Sequence, residues 1–239
     1  MIDCLIPARG GSKSVPRKNI IKIHGIPLIA FTIEIAKKSK LINNVYVSTD
    51  CPEIAEISKQ YGAKVPYLRP SHLATDNASD KEVFVDFFNQ MRRKGFHISN
   101  KILHLRATTP GRDLKVVEKA INEFSKSDHY TSLRSAHKSD HVPEKWFRKN
   151  NEIFTPLFNS DLDTDIHNMP RQNFSPVYIP NGYVDIIDLE KLLKKNSFHG
   201  NSIKAFITDE CVDIDSLEDL KNAKDDPLVI KLSKEINYI

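Results

Sequence analysis

The chain has 239 residues, 40% of them hydrophobic and 28% charged, with a formal net charge of +4. That is enough apolar material for one substantial core, and the dispersed charges exclude global disorder. The small net charge and the lack of a long Lys/Arg run exclude a nucleic-acid coat and a polybasic membrane anchor, so a local anionic ligand fits better. Cys4, Cys51 and Cys211 are far apart and lack CxxC spacing. They read as free thiols in a reducing compartment, not as zinc ligands. The start, "MIDCLIPARGG", has neither a basic n-region nor a long apolar h-region. No stretch approaches the roughly 20 apolar residues of a membrane span. The expectation is a cytoplasmic protein forming a single domain over residues 1–239, with no membrane or nucleic-acid partner.

In chain order, "IDCLIPA" is a short apolar run broken at Gly10-Gly11, which predicts a buried strand and a turn. "PLIAFTIEIAKKSK" predicts a helix, with Pro27 at its start and lysines at its end to suit the helix dipole. "NNVYVSTD" predicts a strand and "PEIAEISKQYGA" a helix closed by Gly62. "KVPYLR" predicts a further strand. "DKEVFVDFFNQMRRK" (helix), "KILHLRA" (strand), "DLKVVEKAINEFSK" (helix) and "YTSLRSA" (strand) continue the alternation. Such alternation predicts an α/β fold, a mainly parallel Rossmann-like sheet with helices on both faces. Ligands then sit at the carboxyl ends of the strands. The basic stretch, "VSTD" and "RATTPGRD" all follow predicted strands and can share one rim. From 146 to 175 the pattern weakens into a polar, proline-containing stretch that reads as an inserted arm, loop or interface element. Order returns in "VYIPNGYVDIIDLEKLLKK", where Asn181-Gly182 reads as a turn, then "IKAFIT" and "VDIDSLEDLKNAK".

"IPARGGSKSVPRKN", Ile6–Asn19, carries the first chemistry. It holds Arg9, Lys13, Arg17 and Lys18, two adjacent glycines and no acid. Backbone N–H groups on a glycine-rich bend cradle phosphate oxygens, a following helix adds its dipole, and Lys and Arg neutralise the rest. The spacing is neither that of a P-loop nor that of a G-x-G-x-x-G fingerprint. The alternatives are a phosphate site and a solvated basic loop. In "DID", Asp213 and Asp215 are two apart, so an extended backbone turns both to one face. They either hold a divalent cation, or Asp215 caps the helix at "SLEDL" with Glu218 completing a box-like pattern.

The stretch also resembles the N-terminal signature of the acylneuraminate cytidylyltransferases, the CMP-sialic acid synthetases, roughly R-x-x-S-K-x-x-P-x-K-N. Arg9, Ser12, Lys13, Pro16, Lys18 and Asn19 match in register. "LRPSHLATDNASD", "LRATTPGRD", "PRQ", "PNG" and "DIDSLEDL" follow in the family's order, so the likeness runs from Ile2 to about Ala223. It implies the nucleotide-diphospho-sugar transferase type of fold. The implied reaction is transfer of CMP from CTP to the anomeric hydroxyl of an acidic nine-carbon α-keto sugar, with release of pyrophosphate. It implies nucleotide contacts at Arg9, Ser12, Lys13, Lys18, Asn19, Arg69 and Ser79. It implies Mg2+, or Mn2+ in its place, on Asp213 and Asp215, and catalytic roles for Lys13, Lys18 and Asp213. It implies sugar contacts at Arg106, Arg171, Asn181 and Asp185, and a homodimer whose arm is 146–175, with Phe154, Leu157, Phe158 and Leu162 among its apolar residues.

The departures from the pattern fall on the sugar side. Arg106 stands where the family often has Gln, and Asp185 where sialic-acid enzymes commonly have Tyr. The expectation is that Arg106 and Asp185 reshape one pocket together as an ion pair, favouring a legionaminic- or pseudaminic-type sugar. The alternatives are a 3-deoxy-manno-octulosonate cytidylyltransferase, whose signature departs at Lys13 and at "RKN", and a non-catalytic nucleotide-binding relative.

Overall fold

The computed structural model describes residues 1–158, 165–194 and 197–237. The strands are β1 (Ile2–Pro7), β2 (Lys22–Ile23), β3 (Ile26–Pro27), β4 (Ile42–Ser48), β5 (Lys101–His104), β6 (Ser132–Lys138), β7 (Phe147–Asn150), β8 (Ile153–Pro156), β9 (Tyr178–Asp188) and β10 (Ile203–Ile207). The α-helices are α1 (Leu28–Lys38), α2 (Pro52–Gln60), α3 (Asp80–Arg93), α4 (Leu114–Ser125), α5 (Leu189–Lys194), α6 (Leu217–Asp225) and α7 (Pro227–Asn237).

Six strands form the central sheet in the order β10-β6-β9-β5-β1-β4. β1 pairs parallel with β4 and β5, and β10 pairs parallel with β6. β9 runs antiparallel between β5 and β6, so the sheet is mainly parallel with one reversed strand inside it. Both faces are covered. On one, α1, α4 and α7 bury Phe31, Ile33, Val117, Phe124 and Leu232 in the larger core. On the other, Phe84, Phe87 and Met91 of α3 meet Leu5, Tyr46 and Ile187 from the strands. Burial on both sides is why β1, apart from the buried Asp3, reads as an apolar run instead of an alternating one. Each fully buried Phe or Leu contributes about 1.5–3 kcal/mol of transfer free energy.

Four local expectations need correction. "KVPYLR" makes only a single bridge from Lys64 to Tyr46, because Pro66 has no N–H to continue the ladder. Asn181-Gly182 is not a turn between elements. It lies within β9, where the register against β6 shifts and Gly182 takes φ +66°. Ser216, not Asp215, caps α6, and Asp219, not Glu218, completes its capping box. The bend at 8–17 is followed by a short 3-10 turn at Lys18–Ile20 and the β2–β3 hairpin, and not directly by an α-helix.

Within 146–175, β7 and β8 form an antiparallel hairpin exposing Trp146, Phe147, Ile153 and Phe154. Residues 159–164, including Leu162, lie outside the described residues. The C-terminal residues form α7, which buries Val229, Leu232 and Ile236. Among the described residues, no helix is long and apolar enough to cross a membrane.

Ser79 caps α3 in a full capping box: its Oγ accepts from Glu82 N, and Glu82 accepts from Ser79 N at 2.8 Å. Ser79→Ala is expected to cost about 1 kcal/mol of stability in urea unfolding.

Candidate active site

The bend after β1 is fixed by its own residues. Val15 is fully buried beneath it, and Asn19 Nδ2 donates to the Arg9 carbonyl at 2.8 Å, closing the loop. Gly10 N donates to Asp50 Oδ1 at 2.9 Å. A Cβ on Gly10 would lie 2.9 Å from Cys51 Cβ, so glycine is required for this close approach. Arg17 adopts a left-handed conformation and pairs with Glu53 on α2. Among the described residues, the N–H groups of Ser12, Lys13 and Ser14 have no protein acceptor.

The bend walls a cavity of about 490 Å³ at the carboxyl ends of β1 and β5. It brings Arg9, Ser12, Lys13, Lys18, Asn19, Arg69, Arg106, Asp213 and Asp215 together, nine residues that the sequence had picked out from four separate segments. "VSTD" sits on the same rim through Asp50. Every cation but Arg69 holds an acid. Arg9 and Lys13 clasp opposite oxygens of Asp76 at 2.7 and 2.5 Å. Lys18 bonds Asp215 at 2.8 Å, and Arg106 faces Asp80 at 3.5 Å. Lys13 and Arg9 together hold the Asp76 carboxyl below the usual range. Arg69 is buried, with Nε lacking a protein partner, and burial lowers its pKa.

Asp213 and Asp215 flank the fully buried Ile214, whose N–H donates to the Thr108 carbonyl at 2.9 Å. With Ile214 turned into the core, the alternation of an extended chain puts both carboxylates on the cavity side. Thr109 Oγ1 donates to Asp213 Oδ1 at 3.3 Å, while Asp215 is exposed. Among the described residues no cluster of three or more His, Cys, Asp or Glu is placed to hold a metal. Two carboxylates beside a polyanion site suit Mg2+, which retains waters and takes phosphate oxygens for its other positions.

Arg112, which the sequence reading passed over, is fully buried and donates all five of its N–H groups. Nε goes to the Tyr183 carbonyl at 2.7 Å. Nη1 goes to Thr32 Oγ1 at 2.9 Å and to the Thr109 carbonyl. Nη2 goes to the carbonyls of Arg106 and Gly182 at 2.9 and 3.1 Å. Burial lowers its pKa to about 10, so it stays charged. It ties the Arg106 loop to the distorted part of β9.

Other candidate residues are placed differently. Ser79 is committed to capping, and its neighbours Ala78 and Asp80 line the cavity instead. Asn181 is buried, donating to Thr208 Oγ1 at 2.7 Å and accepting from Tyr183 N, so it organises β9. Arg171 lies in a separate groove with Lys138 and His141, paired with Asp140 at 3.3 Å. The Arg106–Asp185 ion pair is not formed, because Asp80 at the start of α3 is nearer to the guanidinium. Asp185 lies beneath the cavity, its Oδ2 4.0 Å from His104 Nδ1. Asp76, Asp80 and His104 are cavity residues that the sequence reading missed. Asp76 and Asp80 were legible only as parts of "LATDNASD", and His104 only as a polar residue in a strand.

A family model described as "Cytidylyltransferase" matches residues 4–226. The chain is 39% identical over 121 residues to a pseudaminic acid cytidylyltransferase of Campylobacter jejuni, covering 51% of this chain and 52% of that protein. The chain thus matches about half the length of that curated relative. It is 30% identical over 223 residues to a CMP-N,N'-diacetyllegionaminic acid synthase of Legionella pneumophila, covering 90% of this chain and 91% of the other. A solved CMP:2-keto-3-deoxy-manno-octonic acid synthetase superposes with a TM-score of 0.70 at 17% identity, covering 94% of this chain and 97% of that one, a likeness of fold alone.

Burial pushes the Asp185 carboxyl up from 3.8 to about 6, with Arg134 and then Arg106 opposing the rise. The folded protein therefore keeps this proton to higher pH than the unfolded chain does. The stability this supplies is full below about pH 4 and is lost as pH rises through about 6. Asp185→Asn is expected to lose less stability than the parent between pH 4 and pH 7, read from thermal melting across that range.

Proposed function

As a member of the cytidylyltransferase family, the chain, we propose, transfers CMP from CTP to the anomeric hydroxyl of an acidic nine-carbon α-keto sugar and releases pyrophosphate. One observation carries this reading: Arg9, Lys13 and Lys18 converge with Asp213 and Asp215 on a single cavity at the carboxyl ends of the strands.

The free N–H groups of the bend and the side chains of Arg9, Lys13 and Ser12 take the β- and γ-phosphates. This requires Asp76 to release both cations. Lys18 lies between the bend and the carboxylates and faces the α-phosphate. Asp213 and Asp215 would hold Mg2+, which supplies charge neutralisation on the α-phosphate when bound. The anomeric oxygen forms a bond to the α-phosphorus, the bond to the β-phosphate bridging oxygen breaks, and pyrophosphate leaves with the electron pair. The hydroxyl proton passes to cavity water. Lys13 and Lys18 stabilise negative charge that grows on the departing oxygens, so their effect is larger in the transition state than in the bound substrate.

The acceptor approaches from the Arg106 side, the end of the cavity away from the bend. The names of the relatives, pseudaminic and diacetyllegionaminic, support an N-acylated nine-carbon acid as its class. We also propose a homodimer. The exposed apolar residues of the β7–β8 hairpin support it, as does the distance of Arg171 from its own chain's cavity, which suits an arginine serving a partner's sugar carboxylate. A cytoplasmic location goes with this reading, because CTP is there.

The test is pyrophosphate release from CTP with Mg2+ across a panel of sialic, legionaminic, pseudaminic and octulosonic acids. Release with a nine-carbon acid is expected, and release with the octulosonic acid alone would overturn the acceptor class. Lys18→Met and Asp213→Asn are each expected to lower kcat by about 100- to 1000-fold. In Asp213→Asn the Mg2+ concentration at half-maximal rate should also rise, a change Lys18→Met should not produce.

A further inference from the structure

A row of polar side chains crosses the sheet beneath the Arg106 end of the cavity. Arg134 on β6 is in register with Asp185 on β9, and Asp185 is in register with His104 on β5. Directly opposed residues on adjacent strands share one face, so the three stand side by side. They are set in the smaller apolar core, where His104 lies edge-on to Phe84 at 5.0 Å and faces Phe198 at 6.0 Å.

The row is incompletely satisfied. His104 and Asp185 are each 3% exposed. His104 Nδ1, Asp185 Oδ1 and Arg134 Nε are buried with no protein hydrogen-bond partner. Buried polar atoms are costly to leave unpaired, so a row of three on adjacent strands calls for an explanation beyond packing. His104 also lines the cavity, so the row opens towards the substrate space. Burial lowers the His104 pKa to about 3, which keeps the ring neutral, with one donor and one acceptor nitrogen. The groups around it are Asp185 and Arg134 on the neighbouring strands, Arg106 and Asp80 above, His199 beside Phe198, and Arg112.

Asp185 Oδ2 stands 4.0 Å from Nδ1, about 1 Å beyond a hydrogen bond. The carboxylate favours a proton on Nδ1, which leaves Nε2, on the opposite edge of the ring, as an acceptor. We propose that His104, oriented by Asp185, is a specificity residue whose Nε2 accepts a hydrogen bond from an acylamino N–H of the acceptor sugar. Asp185 is then a positioning residue, and Arg134 balances its charge. This inference rests on the cytidylyl-transfer reading above.

The test compares the parent enzyme with His104→Leu and His104→Gln, using CTP, Mg2+ and an N-acylated nine-carbon 2-keto acid. His104→Leu is expected to raise the acceptor KM about tenfold while leaving CTP affinity within about twofold, the size of one lost hydrogen bond. His104→Gln, whose amide reaches the place of Nε2, should recover part of that loss. The parent should also discriminate about tenfold against an acceptor with one acylamino N–H replaced by an ester oxygen, and His104→Leu should not. The 15N shifts of the parent's His104 ring should show the proton on Nδ1. An unchanged acceptor KM in His104→Leu, or a proton on Nε2, would overturn the inference and leave CMP transfer standing. If His104→Leu does not fold, the ester-analogue series on the parent decides. No pyrophosphate release by the parent with any acid would overturn both readings.

Discussion

The geometry of the site depends on one buried cation. Among the described residues Arg112 has no carboxylate partner, and its five donors are spent on four backbone carbonyls and the Thr32 hydroxyl. A charge removed from water is tolerated only when every donor is matched, so these five acceptors are held to narrow positions. They belong to α1, to the loop after β5 and to the kinked part of β9. Gly182 completes the joint. Its backbone turns to φ +66°, and a Cβ there would lie 2.6 Å from Arg106 Cδ. The Arg106 side chain therefore rests on a surface set by Arg112 and kept clear by Gly182.

Around that joint the fold separates two tasks. The β1 bend and the 213–215 segment provide charge, and both are secured from below by an apolar residue, Val15 and Ile214. Pinning by a buried hydrophobe lets the flanking polar side chains stay solvated until a ligand arrives. The Arg106 end is built in the opposite way. His104, Asp185 and Arg134 belong to the strands themselves, with His104 and Asp185 buried and Arg134 Nε shut off from solvent. In the proposed reaction a flexible polyanion would meet side chains that can move, and a rigid sugar would meet groups that cannot.

The charged half of the site was legible because its signals are local. Two glycines, four cations and no acid within fourteen residues can be read without knowing the fold. The same holds for two aspartates on either side of an isoleucine. What the sequence concealed depends on pairing across the sheet. Nothing adjacent to His104 in the chain announces Asp185, because the two meet only when β9 inserts antiparallel beside β5. Nothing near Arg112 in the chain announces its partners: one of them, the Gly182 carbonyl, lies seventy residues away. Ser79 and Asn181 carried a second role that the sequence reading did not give. Small polar residues satisfy local groups as readily as they bind ligands: Ser79 caps α3 and Asn181 organises β9. The capping position at Ser216 was missed by one residue, which is the usual uncertainty of a helix end.

The clasp of Arg9 and Lys13 on Asp76 makes the site its own first competitor. An incoming anion must replace a carboxylate already bound to two cations. A singly charged or small anion offers little more than Asp76 does, and the exchange is close to neutral. A triphosphate brings several oxygens that engage both cations and the unpaired N–H groups of the bend at once, and only then is the exchange strongly downhill. In the proposed reaction the clasp would thus work as a threshold, filtering abundant simple anions from nucleotide without any contact to a base.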